Sequence, residues 1–195
     1  MPVRVKLGRG TMERALHERL RKETADAHRA IEQVAVATGF LTEPDAYRGY
    51  LRALHGFYAG LEDALGAVTA LPRWLPDLAE RRKTIWLATD LAVLGVVADA
   101  PRIALSFPDA TAALGAAYVV EGATLGGRWI LAHLGQAIPE DARTFFRGYE
   151  GQTGERWRSY GRALDEHGEA DRLIVSAVVT FEQMKHWIAA HALPR

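Results

Sequence analysis

Six prolines, Pro44, Pro72, Pro76, Pro101, Pro108 and Pro139, fall between stretches whose apolar residues recur at helical spacing, and none interrupts such a stretch. A proline within a helix removes a backbone hydrogen bond and clashes with the preceding turn, so prolines confined to the gaps leave every periodic stretch free to be helical. No alternating strand pattern competes. Leu16, Leu20, Thr24, Ala27, Ile31 and Val34 predict one helix from Met12 to about Ala37, ended by "TGF". Thr42, Pro44 and Asp45 are a capping signature for a second helix through "DAYRGYLRALHGFYAGLEDALGAV". Further helices are expected in "ERRKTIWLATDLAVLG", broken near its start, and in "SFPDATAALGAAYVVEGATLGGRWILAHL", which starts at Ser106 or Asp109. "PEDARTFFRGYEGQTGERWRSYGRAL" begins at Pro139, a favourable first-turn residue, and has glycines that suggest a break. "EADRLIVSAVVTFEQMKHWIAAH" is the last. The fold class expected is a single all-α domain of six to eight helices over residues 12–195, after a disordered extension at 1–11. Short loops predict that sequential helices pack as antiparallel neighbours.

Composition removes several function classes. The 195 residues carry 24 Lys+Arg and 24 Asp+Glu, a formal net charge of zero. That balance argues against wholesale binding to nucleic acid or to an anionic membrane, which a basic excess drives. There is no cysteine, which excludes a disulfide scaffold, an iron–sulfur cluster and thiol catalysis. "MPVRVKLGRG" lacks the apolar centre of a signal peptide, and no uncharged apolar run reaches the roughly 18 residues of a transmembrane helix. A cytoplasmic protein is expected.

Common catalytic signatures are missing. No Glu is followed three residues later by His, as a ferritin-like di-iron bundle requires. There is no H-E-x-x-H, no phosphate loop and no G-x-S-x-G elbow. Two features remain. "EGATLGGRWI" places Gly122, Gly126 and Gly127 in an otherwise alanine-rich helix, although a glycine within a helix costs about 1 kcal/mol against alanine. His28 lies beside Ala27 and Ile31 on the apolar stripe of the first helix, with Glu32 one turn on. Alone, the histidine reads as a structural or surface residue, and the glycines as a close helix crossing. Together they suggest a slot for a large flat cofactor. His28 would ligate one side, its second ring nitrogen held by Glu32, and bare helix backbone would approach the other. Haem with a proximal histidine is one arrangement that fits.

"LRKETADAHRAIEQ" and "YVVEGATLGGRWIL" resemble the proximal and distal helices of haem oxygenases, particularly the bacterial biliverdin-forming branch. "GQTGERWRSYGRAL" and "VVTFEQMKHWI" extend the resemblance to about residues 12–190. It implies an all-α bundle with haem between the first helix and the glycine-rich one. It implies His28 as iron ligand, Glu32 as its neighbouring carboxylate, and Gly122 and Gly126, with Gly127 beside them, over the distal side. Arg21, seven positions before His28, matches a propionate-binding cation, and Tyr118 matches a tyrosine with a similar role. Arg158 and Arg162 are candidate further propionate contacts. The implied reaction cleaves haem with O2 and electrons to biliverdin, carbon monoxide and iron. The electron donor would be a ferredoxin, a flavodoxin or a reductase, and a phytochrome is a candidate recipient of the biliverdin. One departure is Ala123, where some members carry an aspartate that organises water. The competing readings are a non-catalytic haem-binding or haem-carrier protein on the same fold and a thiamine-pathway hydrolase. The hydrolase would need a nucleophile, and there is no Cys to serve.

Overall fold

The computed structural model describes residues 9–99 and 101–192, with side chains described from Leu16 onward. Most of the extension expected to be disordered at 1–11 lies outside the described residues. Eight α-helices, and no strand, make up the regular structure of these residues together with short 3-10 turns. They are α1 (Arg9–Glu23), α2 (Ala25–Ala37), α3 (Pro44–Gly66), α4 (Thr84–Val93), α5 (Ala110–His133), α6 (Thr144–Arg147), α7 (Thr153–His167) and α8 (Ala170–His191).

The helix expected over Met12–Ala37 is two helices. The break is at Thr24, whose hydroxyl donates back to the Leu20 carbonyl at 2.6 Å. Such back-bonding bends a helix, and the sequence periodicity continues through the bend unaltered. Glu43, and not Thr42, caps α3, with Pro44 in its first turn. Asp109 caps α5 as expected, accepting from the Ala112 amide at 3.0 Å. The helix expected from Pro139 is divided. Gly148 and Glu150 take positive φ, so α6 ends after one turn and α7 begins only at Thr153.

The expectation that sequential helices are neighbours holds for α3 with α4 and for α5 with α6 but fails for α8. The main partners of α8 are α5, α2 and α3, none adjacent in the chain. Gly115 permits the closest of these crossings. A Cβ there would lie 2.3 Å from the Leu173 carbonyl oxygen, and the Ser176 hydroxyl donates to Ala112 O across the same seam. Leu114, Ala117, Leu173, Ala177 and Phe181 fill it. The connector before α5 is laid along α3, where Ile103 N donates to Gly56 O at 3.2 Å. With α8 as the central post, α2 and α5 both reach Phe181, and the space between His28 and the exposed face of α5 at Gly122 and Gly126 is the candidate groove.

Candidate functional site

His28 projects from α2 at the edge of the buried stripe, not within it. Ala27 and Ile31 are buried, whereas the His28 side chain keeps 50% of its exposure. The reason is angular, since one residue beyond Ala27 is about 100° further round the helix. Its Nδ1 lies 3.5 Å from Glu32 Oε1, leaving Nε2 as the nitrogen open to a ligand. The edge of Phe181 from α8 abuts the ring, with centroids 5.6 Å apart. Phe181 also meets Tyr118 of α5, 6.5 Å away, and forms the floor between the two helices.

Across the groove, α5 shows bare backbone. A Cβ on Gly126 would meet nothing within 4 Å, and one on Gly122 would meet only the six-membered ring of Trp157, at 3.8 Å. Leu125 and Trp129 lie on the same face at 48% and 55% exposure, so this side of α5 is apolar and open. Gly127 is different. It is buried, and a Cβ there would lie 2.1 Å from the Phe146 carbonyl oxygen of α6. Its missing side chain serves a helix contact on another face of α5, which removes the reason to group it with the slot.

Tyr118 is buried beside the kink in the first helix pair. Burial raises its phenol pKa, while a hydrogen bond with Thr24 and the nearby Arg21 guanidinium pull the other way. Arg21 is thereby placed at this end of the groove, with its own surface exposed. Arg158 and Arg162 are exposed on α7, Arg158 directly following Trp157. Ala123, next to Gly122, is also exposed. Sequence reasoning missed Phe181 and Trp157. Each lay in a segment noted for its resemblance, but nothing in those segments marks either ring as facing a groove.

The model of the heme oxygenase family matches residues 14–189. The chain belongs to the haem oxygenase family. Its fold is also that of solved bacterial haem oxygenases. It is similar to the NO- and CO-bound heme oxygenase from Neisseria meningitidis with a TM-score of 0.74 and 17% identity, covering 90% of each chain. It is similar to the heme oxygenase from Leptospira interrogans with a TM-score of 0.75 and 19% identity, covering 90% of this chain and 98% of that one. No curated protein matches it significantly. Among the described residues of this haem oxygenase family member, no helix is long and apolar enough to cross a membrane.

Behind the glycine face of this family member lies a buried ionic node. Glu121, 2% exposed, receives Arg81 at 2.5 Å, the Lys83 ammonium at 2.6 Å and the Tyr149 hydroxyl at 2.9 Å. Asp77 holds Arg81 from outside at 2.8 Å and also takes Arg156 of α7 at 2.7 Å. Burial lowers the Lys83 pKa despite Glu121, whereas Arg81 is raised because Asp77 and Glu121 together outweigh its desolvation. Lys83 is the more deeply buried of the two, directly contacts one carboxylate and has the Arg81 charge beside it, whereas Arg81 has two carboxylates. A cavity of about 340 Å³ adjoins the node, walled by Leu65, Leu75, Ala117 and Val120. The node fastens α5, at the residue before Gly122, to the loop that leads into α4 and to α7. The lone Glu in "YVVEGATLGG" was a signal that a buried cation exists, but nothing in the chain pointed to Arg81 and Lys83 forty residues away.

Proposed function

We propose that this chain is a haem oxygenase, opening the porphyrin of haem with O2 and electrons to give biliverdin, carbon monoxide and iron. The observation that supports the reading is a half-exposed histidine on α2 together with a glycine face on α5, where a Cβ added to Gly126 would meet nothing within 4 Å. A flat apolar ring fits this arrangement. Phe181, Leu125 and Trp129 supply apolar surface, and the absent side chains at Gly122 and Gly126 leave room for a small ligand on the distal side.

In this reading His28 Nε2 would hold the haem iron, and Glu32 would orient the imidazole through Nδ1. Arg21, Tyr118, Arg158 and Arg162 receive the propionates. The bare backbone of Gly122 and Gly126 would form the distal wall and leave room beside it for a small ligand. Bound haem supplies the redox chemistry, and the chain supplies orientation and a pocket with restricted water. Electrons come from a separate donor, a ferredoxin, a flavodoxin or a reductase, and biliverdin is available to a phytochrome.

The second reading is a haem carrier on the same fold; Ala123, with no acid after the first distal glycine, is neutral to mildly unfavourable for turnover. One experiment separates the two. Haem added to the purified protein should give a Soret band, and ascorbate or a ferredoxin–reductase pair in air should convert that band to biliverdin absorbance. A Soret band that persists under reductant and oxygen leaves the carrier. In the same assay His28→Ala should keep its helical circular dichroism but lose the native axial ligation and its turnover.

A further inference from the structure

The groove is open along Gly126 but closed beyond Gly122, and one side chain closes it. The six-membered ring of Trp157 lies 3.8–3.9 Å from where a Gly122 Cβ would be, the nearest approach to that face of α5. This partly buried indole is braced by three rings. The His17 ring from α1 stacks on it at 5.6 Å and 19°. Tyr118 and Tyr160 lean against it, each 5.8 Å away. Tyr160 is itself fully buried and donates to Leu114 O at 2.6 Å. His17 is pressed into place by Gly161, where a Cβ would lie 2.2 Å from the imidazole Cε1. The stack on Trp157 and the close approach to Gly161 hold the His17 ring between α1 and α7. Burial lowers the His17 pKa, in keeping with an uncharged ring against an indole.

From this we infer that Trp157 is a specificity-determining wall, fixing how far and in which in-plane rotation a porphyrin seats in the groove. The inference rests on the haem reading above. A porphyrin is nearly square, so a slot defined only by an axial ligand and a bare face accepts it in several rotations about the ligand axis. The candidate cations Arg21, Arg158 and Arg162 are all exposed, on long side chains that can follow a propionate as the ring turns. A single exposed ion pair typically favours one arrangement by about fivefold or less. A rigid plate at the Gly122 end excludes rotations that would drive a bulky ring edge into it, and a braced aromatic side chain yields little. The wall therefore selects which edge of the ring lies under Gly122 and Gly126, and with it the biliverdin isomer.

The test uses iron 2,4-dimethyldeuteroporphyrin, which is symmetric about its propionate axis, so that extra signals report rotation and not inversion of the ring. With the wild-type protein, the hyperfine-shifted ring-methyl proton resonances should form one set. Trp157→Ala should give two or more sets, each at least a tenth of the population, and a mixture of biliverdin isomers with natural haem. Trp157→Leu, which keeps an apolar side chain in the packing, should do the same if the alanine variant fails to fold. Trp157→Phe should retain one set. A single, wild-type-like set in the alanine or leucine variant overturns the inference, as do multiple sets in the wild type. Failure of the haem reading is distinct, because the wild type would then show no Soret band with haem at all.

Discussion

Gly126 and Gly127 are consecutive residues of one helix, and they are glycine for opposite reasons. Gly126 faces open space, and Gly127 is pressed onto the Phe146 carbonyl oxygen. The first is expendable to the fold and matters only to what enters the groove. The second is required by the fold and is remote from the groove. The same division runs along α5. Its groove face carries Gly122, Leu125, Gly126 and Trp129, all at least partly exposed, while its buried side carries Glu121 and Gly127. On the proposed function α5 presents bare backbone to a ligand, and what lies behind it holds it in place.

The sharpest way to break this comparison is to remove the anchor. Glu121→Ala leaves Arg81 and Lys83 buried with their shared carboxylate gone. Stranding one side of a buried ion pair costs about 3–5 kcal/mol. A loss of that size is expected in urea unfolding. If the variant is as stable as wild type, the node does not anchor α5. Gly127→Ala comes next. Its Cβ would approach backbone, which cannot swing aside, so α5 and α6 must separate at a cost of about 1–3 kcal/mol. The same unfolding measurement should show that loss, and an unchanged midpoint would contradict the packing assigned to Gly127.

Much of this was legible in the sequence, and the failures share one cause. The helices follow from period and proline placement, and the Asp109 cap was readable because a cap acts within four residues. What failed was information carried between distant segments. The Thr24 kink keeps the helical register, so periodicity cannot reveal it. The central place of α8 depends on Gly115 meeting Leu173, a contact that no local pattern encodes. At the candidate site, His28, Glu32, Gly122 and Gly126 could be paired through a family resemblance. Gly127 could not be separated from Gly126, because "GG" carries no sign that two adjacent residues face different ways round a helix. Trp157 was hidden similarly. Its neighbour Arg158 drew attention by its charge, while the indole that faces the groove looked like ordinary core.

The smallest effect is the most discriminating. At Gly126 a methyl group meets no atom within 4 Å, so alanine should be accommodated without displacement. Alanine is also the better helix former by about 1 kcal/mol. Gly126→Ala should therefore stabilise the protein, raising the midpoint of thermal unfolding by about 2–4 °C for a domain of this size. On the proposed function haem should still bind, because the proposed ligand His28 is on α2, but O2-dependent turnover should fall as the methyl enters the proposed distal space. Opposite signs for Gly126→Ala and Gly127→Ala in the unfolding experiment would establish that two adjacent glycines serve a ligand and a helix contact separately. Destabilisation by both would mean that the open face at Gly126 is a packing surface after all, and the groove would lose its distal wall.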